Sequence, residues 1–553
     1  MWKVIIFCST MILILAVVLY GVGPSSIVES PDREYDYIIV GAGTAGCVVA
    51  SRLAENSNAK VLLVEAGSTI QIVSRIPLLA PVVQQTNADW QFKTVSQKFS
   101  SIGLFDRIQF LPRGKGLGGS GHINYMIHSF GRPSDYNDWP KGWTSTELEP
   151  YFDQVEQLMS INRRPTSRIL ARAADLYHKS ANPFVPVSVS TSQGVRTSSY
   201  RTHLQKVWHQ PNLHILIDTL VSKVSIDEGN TARGIELIDN LGQLGGVLAR
   251  KEVILCAGAL GSPHLLMLSG VGPQRELKKH NITVRADLPA VGRNLFDHLN
   301  MPMYVKLKNP SSEAVSITHE NLLTLRTLTD YFFGGTGLLA SNGIAGMTWK
   351  DDHAVILTAI GTIDKDALIQ LSNYRPQIFE RLFPTYNDST AEGYLMLATC
   401  LQPKSRGRVR LHSGSVRDHP LLDPNYLKKI EDVKCHVKAM QQVKEIANSP
   451  PFVDYGAELH VPWFEECRHY RQDIGSEDFS ACLVRIGAIT SHHPGGTCQM
   501  GANRNTSVVD EKLRVHGINN LRIVDASILP SPISGPPNSV IIAIAEKAAQ
   551  MIR

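Results

Sequence analysis

The sequence predicts an α/β fold, or α+β where its sheets are mixed: a βαβ unit near the N-terminus, later segments that return to it, and an interleaved antiparallel sheet. Three observations support this prediction. The run Gly41-Ala42-Gly43-Thr44-Ala45-Gly46 separates two apolar stretches, a second glycine cluster spans residues 113–121, and an apolar stretch that begins at Leu521 stops in an acid, Asp525. With 553 residues, the chain is long enough for two closely packed domains.

The βαβ unit is the most specific pattern in the chain. Residues 35–40 form a short β-branched run, the glycine run follows directly, and an apolar, helix-compatible segment continues to Leu53. Residues 60–65 then read as a second strand that ends in Glu65. A strand, G-x-G-x-x-G, a helix, a strand and an acid in this order predict a Rossmann-like dinucleotide-binding unit.

Each glycine of this fingerprint, and the acid that follows, has a physical task. Gly41 makes the tight turn, Gly43 lets the backbone approach a pyrophosphate, and Gly46 lets the helix pack on the strand. The N-terminus of the helix faces the phosphates, and an acid at the end of the second strand accepts hydrogen bonds from a ribose. The predicted nucleotide-binding residues are therefore Gly41, Gly43, Thr44, Ala45, Gly46 and Glu65.

The second glycine cluster holds five glycines between residues 114 and 121. Such a density permits unusual backbone angles and a close approach to something flat or charged. Lys115 is followed by Gly116 rather than by Ser or Thr, so the cluster is not a nucleoside-triphosphate loop.

Further elements follow in the rest of the chain. Residues 250–259 read as a buried strand that runs into a turn, and a short helix is predicted from Ser262 to Ser269. Residues from about 306 to 400 carry alternating apolar stretches, and we expect the substrate-facing sheet there. A rigid loop at 530–537 precedes a closing helix at 540–552.

The bulk composition excludes one class of partner. The net charge of +5 is spread over 105 charged residues, and the chain has no lysine or arginine run. A nucleic-acid-binding protein needs at least a basic stripe, so nucleic-acid binding is not expected.

The N-terminus predicts secretion. Lys3 precedes an apolar run to Tyr20, and small residues follow, which is typical of a signal peptide over residues 1–26. The run is also near the lower length for a membrane span, so an uncleaved anchor is the alternative. The sequons at Asn281, Asn387 and Asn505 agree with a secreted, extracellular glycoprotein.

The cysteines show no zinc-binding spacing. Cys47 and Cys256 lie where small buried residues are expected, and we predict core thiols there. A disulfide among Cys400, Cys435, Cys467 and Cys482 is consistent with secretion, but the sequence does not determine its pairing.

His493 is the candidate catalytic residue. It precedes a Pro-Gly-Gly turn, and histidine can exchange a proton near neutral pH. A base in a protein that also binds a dinucleotide implies removal of hydride from an alcohol. Its neighbour His492 is expected to point elsewhere, because side chains alternate along an extended strand, and to be either structural or substrate-lining.

These motifs together resemble the glucose–methanol–choline (GMC) oxidoreductases, which are flavoenzymes that bind FAD. The resemblance extends from about Tyr35 to the C-terminus. Within the family, the chain is most similar to the arthropod branch, which has glucose-dehydrogenase-like, ecdysone-oxidase-like and mandelonitrile-oxidase-like members. It is carried by the N-terminal fingerprint, by the cluster at 118–124, by the run from Gly258 to Gly272 and by the run from Leu288 to His298.

The resemblance implies a division of the chain. Residues 35–305 would form the FAD-binding domain with some substrate-domain segments, residues 306–500 mainly the substrate-binding domain, and residues 501–553 a return to the FAD-binding domain that completes the active site. It also implies further FAD contacts at Gly118, Gly119, Ser120, Asn124, Val224, Asp525 and Ala526. Some relatives attach FAD covalently to a histidine in the glycine cluster. Ile123 stands at that position here and His122 is one residue early, so FAD is predicted to bind non-covalently.

The implied chemistry is the oxidation of an alcohol CH–OH group to a carbonyl. His493 falls on the family's catalytic histidine and Asn538 on a position that holds His or Asn, so the pair is of the His–Asn type. Neutral His493 would take the hydroxyl proton while hydride passes to flavin N5, and Asn538 would orient the substrate oxygen. The partners expected are a small-molecule alcohol and an electron acceptor, oxygen or a quinone. A cyanohydrin lyase that keeps FAD and an inactive flavin-binding protein are the alternatives.

Overall fold

The computed structural model describes residues 26–553 except for 57, 70, 239–241, 243, 309–313, 323 and 363. Two seven-stranded sheets form the centre of the protein, and each has its own hydrophobic core. Ser26 is the one residue of the predicted signal peptide that lies within the described residues. No helix in the described part of the chain combines the length and the apolar character needed to cross a membrane.

The first sheet contains the predicted βαβ unit. Its strands Glu34–Val40 and Val61–Val64 are parallel neighbours, and their apolar runs over residues 37–40 and 61–64 are buried on both faces, as is typical of a parallel sheet. In order across the sheet the strands are Leu220–Ile226, Ala232–Ile238, Leu244–Leu255, Glu34–Val40, Val61–Val64 and Leu213–Leu216, with Leu521–Ile523 also paired to Leu244–Leu255. The carboxyl ends of the five parallel strands therefore meet at one edge.

The second sheet is antiparallel at every pairing, as the sequence predicts for the substrate-facing region. Its first long strand begins at Leu299. The order is Ala457–Leu459, Leu299–Leu307, Gly393–Cys400, His353–Thr358, Ile344–Lys350 and Val185–Pro186, with Ile489–Thr490 paired to Leu299–Leu307. The edge strand Val185–Pro186 lies in the chain between the first-sheet strands Val61–Val64 and Leu213–Leu216, so the two sheets are interleaved in sequence. The α/β fold with an interleaved antiparallel sheet is confirmed.

The helices and short strands complete the described architecture. The α-helices are Thr44–Ala54, Ser145–Leu158, Arg168–Ser180, Gln205–Val207, Gly258–Leu268, Gln274–Lys279, His319–Leu322, Leu325–Gly334, Lys365–Ser372, Pro376–Leu382, Ile430–Ala447, Pro450–Asp454, Glu477–Gly487 and Asn538–Ile552. The short strands are Phe92–Lys93, Phe110–Leu111, Ile161–Asn162, Val189–Ser192, Val195–Arg196, Val271–Gly272, Ala286–Asp287, Arg293–Leu295, Gly407–Arg410 and Leu421–Asp423.

One helix boundary differs from the prediction. The helix predicted to start at Ser262 begins at Gly258 and carries Pro263 in its interior. A proline there cannot donate to the carbonyl four residues earlier, which is that of Ala259. The hydroxyl of Thr497 donates to this carbonyl at 2.5 Å, so the exposed acceptor is satisfied and the helix continues through the proline.

Within the part of the chain that the structure describes, four cysteines form two disulfides. Cys400–Cys435 joins the strand Gly393–Cys400 to the helix Ile430–Ala447, and Cys467–Cys482 closes a shorter loop. The predicted core thiols Cys47 and Cys256 are buried and free, as is Cys498.

Candidate active site

A cavity of about 650 Å³ lies between the carboxyl edge of the first sheet and one face of the second sheet. This volume falls within the usual range for cofactor and ligand sites. The predicted residues that line it are Gly41, Gly43, Thr44, Ala45, Glu65, Gly119, Ser120, Asn124, His493, Asp525, Ala526 and Asn538. Residues from near the two ends of the chain, such as Gly41 and Asn538, thus meet in one cavity.

Glycines shape the first end of this cavity. Gly41 has a φ of +100°, and a Cβ there would lie 2.6 Å from the carbonyl oxygen of Cys256. A Cβ at Gly119 would lie 2.7 Å from the Cα of Gly43, so the two glycine clusters touch through their backbones. The helix Thr44–Ala54 begins directly behind this contact. The arrangement leaves a cradle of bare backbone at a helix N-terminus, which fits a pyrophosphate.

Two predicted glycines lie beneath this cradle and do not line the cavity. A Cβ at Gly46 would collide with the carbonyl oxygen of Gly41, so Gly46 permits the packing of helix on strand. Gly118 has a φ of +90°, and a Cβ there would collide with the ring of His122.

Glu65 joins three parts of the cradle. Its carboxylate accepts hydrogen bonds from the backbone N–H groups of Ala42 at 2.8 Å, Gly67 at 2.9 Å and Gly116 at 3.0 Å. Burial raises the pKa of Glu65 to about 7, while these three donors oppose the rise. The acid therefore holds the fingerprint turn and the second glycine cluster in one position.

Asp525 has the same task on the opposite side of the first sheet. One of its oxygens accepts from the Ser262 hydroxyl at 2.5 Å and from Gly258 N–H at 2.9 Å, and the other accepts from Ser527 N–H at 2.8 Å. Burial raises its pKa. Ala526 follows it and lines the cavity.

Two further predicted residues occupy different positions. Asn124 lines the cavity, and its amide oxygen accepts from Arg196 at 2.7 Å. Val224 is not among the lining residues, and its backbone N–H donates to the Ser269 hydroxyl at 2.8 Å. Val221, three residues earlier on the same strand, lines the cavity instead.

His493 is fixed at the other end of the cavity. Its backbone N–H donates to Asp297 at 2.7 Å. The glycine turn that follows packs closely against the ring of Phe296, since a Cβ at Gly495 would lie only 2.6 Å from that ring. Gly495 and Phe296 also exchange two backbone hydrogen bonds, at 3.1 and 3.2 Å. The histidine consequently has little freedom to move.

A second histidine determines the tautomer of His493. The Nε2 of His298 lies 2.9 Å from the carbonyl oxygen of Leu401, which can only accept, so Nε2 carries the proton. Neutral His298 then presents a bare Nδ1, which lies 3.2 Å from Nδ1 of His493. That nitrogen of His493 must be the donor, and its Nε2 is left with a free lone pair.

Both histidines are held neutral. Burial is the largest cause that lowers the pKa of His493 well below its ordinary value, and His298, His492 and Arg113 add to the effect. Burial likewise lowers the pKa of His298. A neutral imidazole with a free Nε2 can take a proton over a wide pH range.

Asp297 is the common acceptor of this region. One oxygen accepts from the N–H groups of His298 at 2.8 Å and His493 at 2.7 Å, and the other accepts from the hydroxyls of Tyr426 at 2.5 Å and Thr490 at 2.6 Å. Sequence reasoning assigned no task to Asp297 or His298, although both close the family-like run that ends at His298.

His492 differs from the expectation of an extended strand. Its φ is +63°, in the left-handed region, and it lines the same cavity as His493. Its carbonyl accepts from Arg113 at 2.6 Å. Its Nδ1 is buried and has no partner among the described residues. A polar atom left bare in this way fits a cavity that takes up a polar group.

Asn538 is the first residue of the helix Asn538–Ile552. Its amide oxygen accepts from the hydroxyl of Thr44 at 3.0 Å, which leaves the amide N–H₂ as the donor side of the group. The last helix is thereby tied to the first turn of the nucleotide-binding helix.

A glycine cradle at a helix N-terminus and a neutral histidine that line one cavity are typical of a dinucleotide-dependent oxidoreductase. Comparison with known proteins agrees. Family models described as GMC oxidoreductase match residues 35–300 and 403–545.

Individual relatives match almost end to end. The chain is 36% identical to "Neither inactivation nor afterpotential protein G" of Drosophila melanogaster, over 99% of this chain and 96% of that protein. It is 34% identical to the alcohol dehydrogenase (acceptor) of Pseudomonas putida, over 94% of this chain and 95% of that protein. A solved structure of Aspergillus oryzae formate oxidase, from work on its FAD modification, superposes with a TM-score of 0.82 at 25% identity and covers 95% of this chain and 98% of that one.

The chain therefore belongs to the GMC oxidoreductase family. It is an FAD-dependent oxidoreductase that oxidises alcohols, and the predicted family, cofactor and class of reaction are confirmed.

Proposed function

We propose that the protein oxidises the CH–OH group of an alcohol to a carbonyl with His493 as the base and Asn538 as the hydrogen-bond donor to the substrate oxygen. The observation that supports this most is the chain of hydrogen bonds from Leu401 O through His298 to His493. It fixes the donor nitrogen of His493 and leaves Nε2 free as an acceptor.

The base acts through this free Nε2. A hydroxyl that donates to Nε2 loses its proton to the ring, and the new positive charge is stabilised by the neutral acceptor, Nδ1 of His298, on the other nitrogen. The amide N–H₂ of Asn538 donates to the oxygen as negative charge develops there. When bound, FAD supplies the acceptor for the hydride that leaves the alcohol carbon. Oxygen or a quinone is the final electron acceptor.

FAD would be held without a covalent bond. The backbone at Gly41, Gly43 and Gly119 would hold its pyrophosphate, and Glu65 its ribose. His122 is an unsuitable point of attachment, since its ring nitrogens lie 2.9 Å from the Ser198 hydroxyl and 3.3 Å from the Ser74 hydroxyl. The neighbouring Ile123, which lines the cavity, has no nucleophilic group.

The test is anaerobic mixing of the purified holoenzyme with a panel of alcohols, with flavin absorbance and product recorded. An alcohol should bleach the flavin and yield the carbonyl. The variant His493→Ala should slow bleaching by about 10²–10⁴-fold while retaining FAD. A matched control is His469→Ala, an exposed histidine outside the cavity. If His493→Ala bleaches at the normal rate, or if a cyanohydrin yields aldehyde and cyanide while the flavin stays oxidised, the proposal is wrong.

We also propose that the protein is secreted and glycosylated. The asparagines of all three sequons, Asn281, Asn387 and Asn505, are exposed. Two disulfides agree with an oxidising compartment. Expression in insect cells should give protein in the medium whose mass falls on treatment with an N-glycosidase.

A further inference from the structure

The second sheet presents an apolar wall to the cavity. Four adjacent strands supply it, and the register places their side chains in rows on one face. The central row runs Pro302, Leu397, Ile356 and Met347, with each residue directly opposite the next. All four line the cavity.

The alternation along each strand separates this wall from the hydrophobic core. On the strand Gly393–Cys400, Met396 and Ala398 are fully buried in the core of the second sheet, while Leu395 and Leu397 are only half-buried and face the cavity. The same holds for the strand His353–Thr358, where Ile356 faces the cavity. Three strand spacings of about 4.8 Å make this wall about 14 Å wide. Side chains on a wall of this kind gain from contact with an apolar ligand body.

The hydroxyl groups on the wall are already used. Thr399 donates to Leu299 O at 2.8 Å, and Thr358 donates to Leu395 O at 2.6 Å. These two side chains therefore present methyl groups rather than free donors to the cavity. A ligand rich in hydroxyls would find few partners there, and desolvating such groups without partners is costly.

One polar group on the wall is unpaired. The amide oxygen of Asn300 is buried and has no partner among the described residues. Asn300 lies on the strand Leu299–Leu307, two positions after His298, and both residues line the cavity, so Asn300 lies at the reactive end. The apolar rows extend away from it.

Charged side chains lie apart from the wall. Among the described residues that line the cavity, the charged ones are Glu65, Arg113, Asp364 and Asp525. Glu65 and Asp525 lie at the edge of the first sheet with their backbone donors, and Arg113 is occupied by the carbonyl of His492. Asp364 is exposed and caps the helix Lys365–Ser372 by accepting from Ala367 N–H at 2.7 Å.

We propose that the substrate is an uncharged alcohol whose hydroxyl carbon is attached to an extended hydrocarbon body, which lies across the row from Pro302 to Met347. The reacting hydroxyl lies near Asn300 and His493. The rim on the far side is also apolar, formed by Leu368, Leu371 and Phe383. This inference rests on the proposed function and adds the class of substrate.

The test compares kcat/KM of the holoenzyme for farnesol and cholesterol with that for D-glucose and choline, using a dye acceptor. At least one of the two apolar alcohols should exceed both polar compounds by about tenfold or more, and the better of the two distinguishes a chain from a fused-ring body. Leu397→Asn should lower kcat/KM for it by about tenfold or more, mainly through KM. Leu325→Asn is the matched control, because Leu325 is 78% exposed on the helix Leu325–Gly334 and does not line the cavity.

Other outcomes overturn the inference in distinguishable ways. If D-glucose or choline is the better substrate, the substrate class is wrong and the alcohol chemistry stands. If none of these alcohols, nor any simple primary or secondary alcohol, bleaches the flavin, the proposed function itself is wrong. Should Leu397→Asn fail to fold, Met347→Thr changes the same wall with a smaller loss of packing, and an unchanged KM for the apolar alcohol in that variant contradicts the proposal.

Discussion

His298 acts on the reaction through His493, which makes it a positioning residue. Its Nδ1 accepts a hydrogen bond from the Nδ1–H of His493, because its own proton lies on Nε2 and is donated in a hydrogen bond to Leu401 O. If the hydrogen bond from His298 to Leu401 O is lost, His493 can adopt the opposite tautomer, in which Nε2 carries the proton and cannot act as a base. The tautomer therefore depends on a residue that need not touch the substrate.

The first prediction concerns this pair. His298→Leu should lower kcat by about 10–100-fold with KM little changed, since substrate contacts are kept and the base is no longer held in one tautomer. His298→Gln should recover most of the loss, because its amide can accept from His493 and donate to Leu401 O. Steady-state kinetics on both variants at equal flavin content measures this. A merely structural role would instead reduce folding in both variants without the recovery by glutamine.

Glu65 is the second residue whose contacts allow a prediction. Glu65→Gln replaces one carboxylate oxygen with an N–H₂ group that faces backbone donors, so at least one of its three hydrogen bonds is lost. We expect a loss of about 1–3 kcal/mol in the stability of the cradle and a clearly lower flavin-to-protein ratio after gel filtration at pH 8. Glu236→Gln, on an exposed part of the same sheet, is the control. Full FAD retention by Glu65→Gln would contradict this assignment.

At the scale of elements, the Cys400–Cys435 disulfide fastens the long helix Ile430–Ala447 to the second sheet. Cys400 ends the strand Gly393–Cys400, which also supplies Leu397 and Leu395 to the cavity wall. Because the bond closes a separation of 35 residues, it restricts the unfolded chain substantially.

We expect the double variant Cys400→Ala/Cys435→Ala to lose about 2–4 kcal/mol in free energy of unfolding. Denaturant titration with and without reductant measures this. Reductant should destabilise the wild type by more than it destabilises the double variant, which keeps only Cys467–Cys482. Equal sensitivity of the two proteins to reductant would show that the first pair carries no stability.

Local patterns predict the elements whose burial is uniform. The strands Glu34–Val40 and Val61–Val64 are buried almost throughout and end in apolar runs, so their bounds agree with the sequence prediction to within about one residue. The start of the helix Gly258–Leu268 was misplaced, because the hydroxyl that compensates Pro263 belongs to Thr497, 238 positions after Ala259. A contact of that range leaves no local pattern.

The residues of the candidate site likewise fall into those that a local sequence pattern predicts and those that it does not. The glycine cradle and Glu65 could be predicted because one contiguous motif contains them. His298 could not, since its task depends on its approach to a residue 195 positions away. The apolar wall was also beyond prediction, because its rows depend on the register of four strands from three parts of the chain.

At the scale of the whole molecule, buried histidines couple stability to pH. Burial lowers the pKa of His122 to about 3 and that of His264 to about 4. In the unfolded chain both titrate near 6.5, so below that pH the unfolded state binds more protons and stability falls. Each contributes up to about 1.4 kcal/mol per pH unit. Glu65 acts oppositely between about 7 and 4.5, because its raised pKa makes the folded state bind the additional proton.

We therefore expect stability to decrease as pH falls from 6.5 to 4.5, because the buried histidines with lowered pKa values, which include His122, His264 and His492, outnumber the buried carboxyls with raised pKa values, such as Glu65 and Asp525. Below 4.5 the decrease should steepen, because the contribution of Glu65 ends and Glu546, whose pKa is lowered to about 2, begins to lose its ionised contacts. Denaturant titrations at half-unit steps of pH measure this slope. His122→Gln should flatten it, whereas His469→Gln, at an exposed position, should leave it unchanged. A slope that His122→Gln does not alter would mean that His122 is not the group whose protonation the fold opposes.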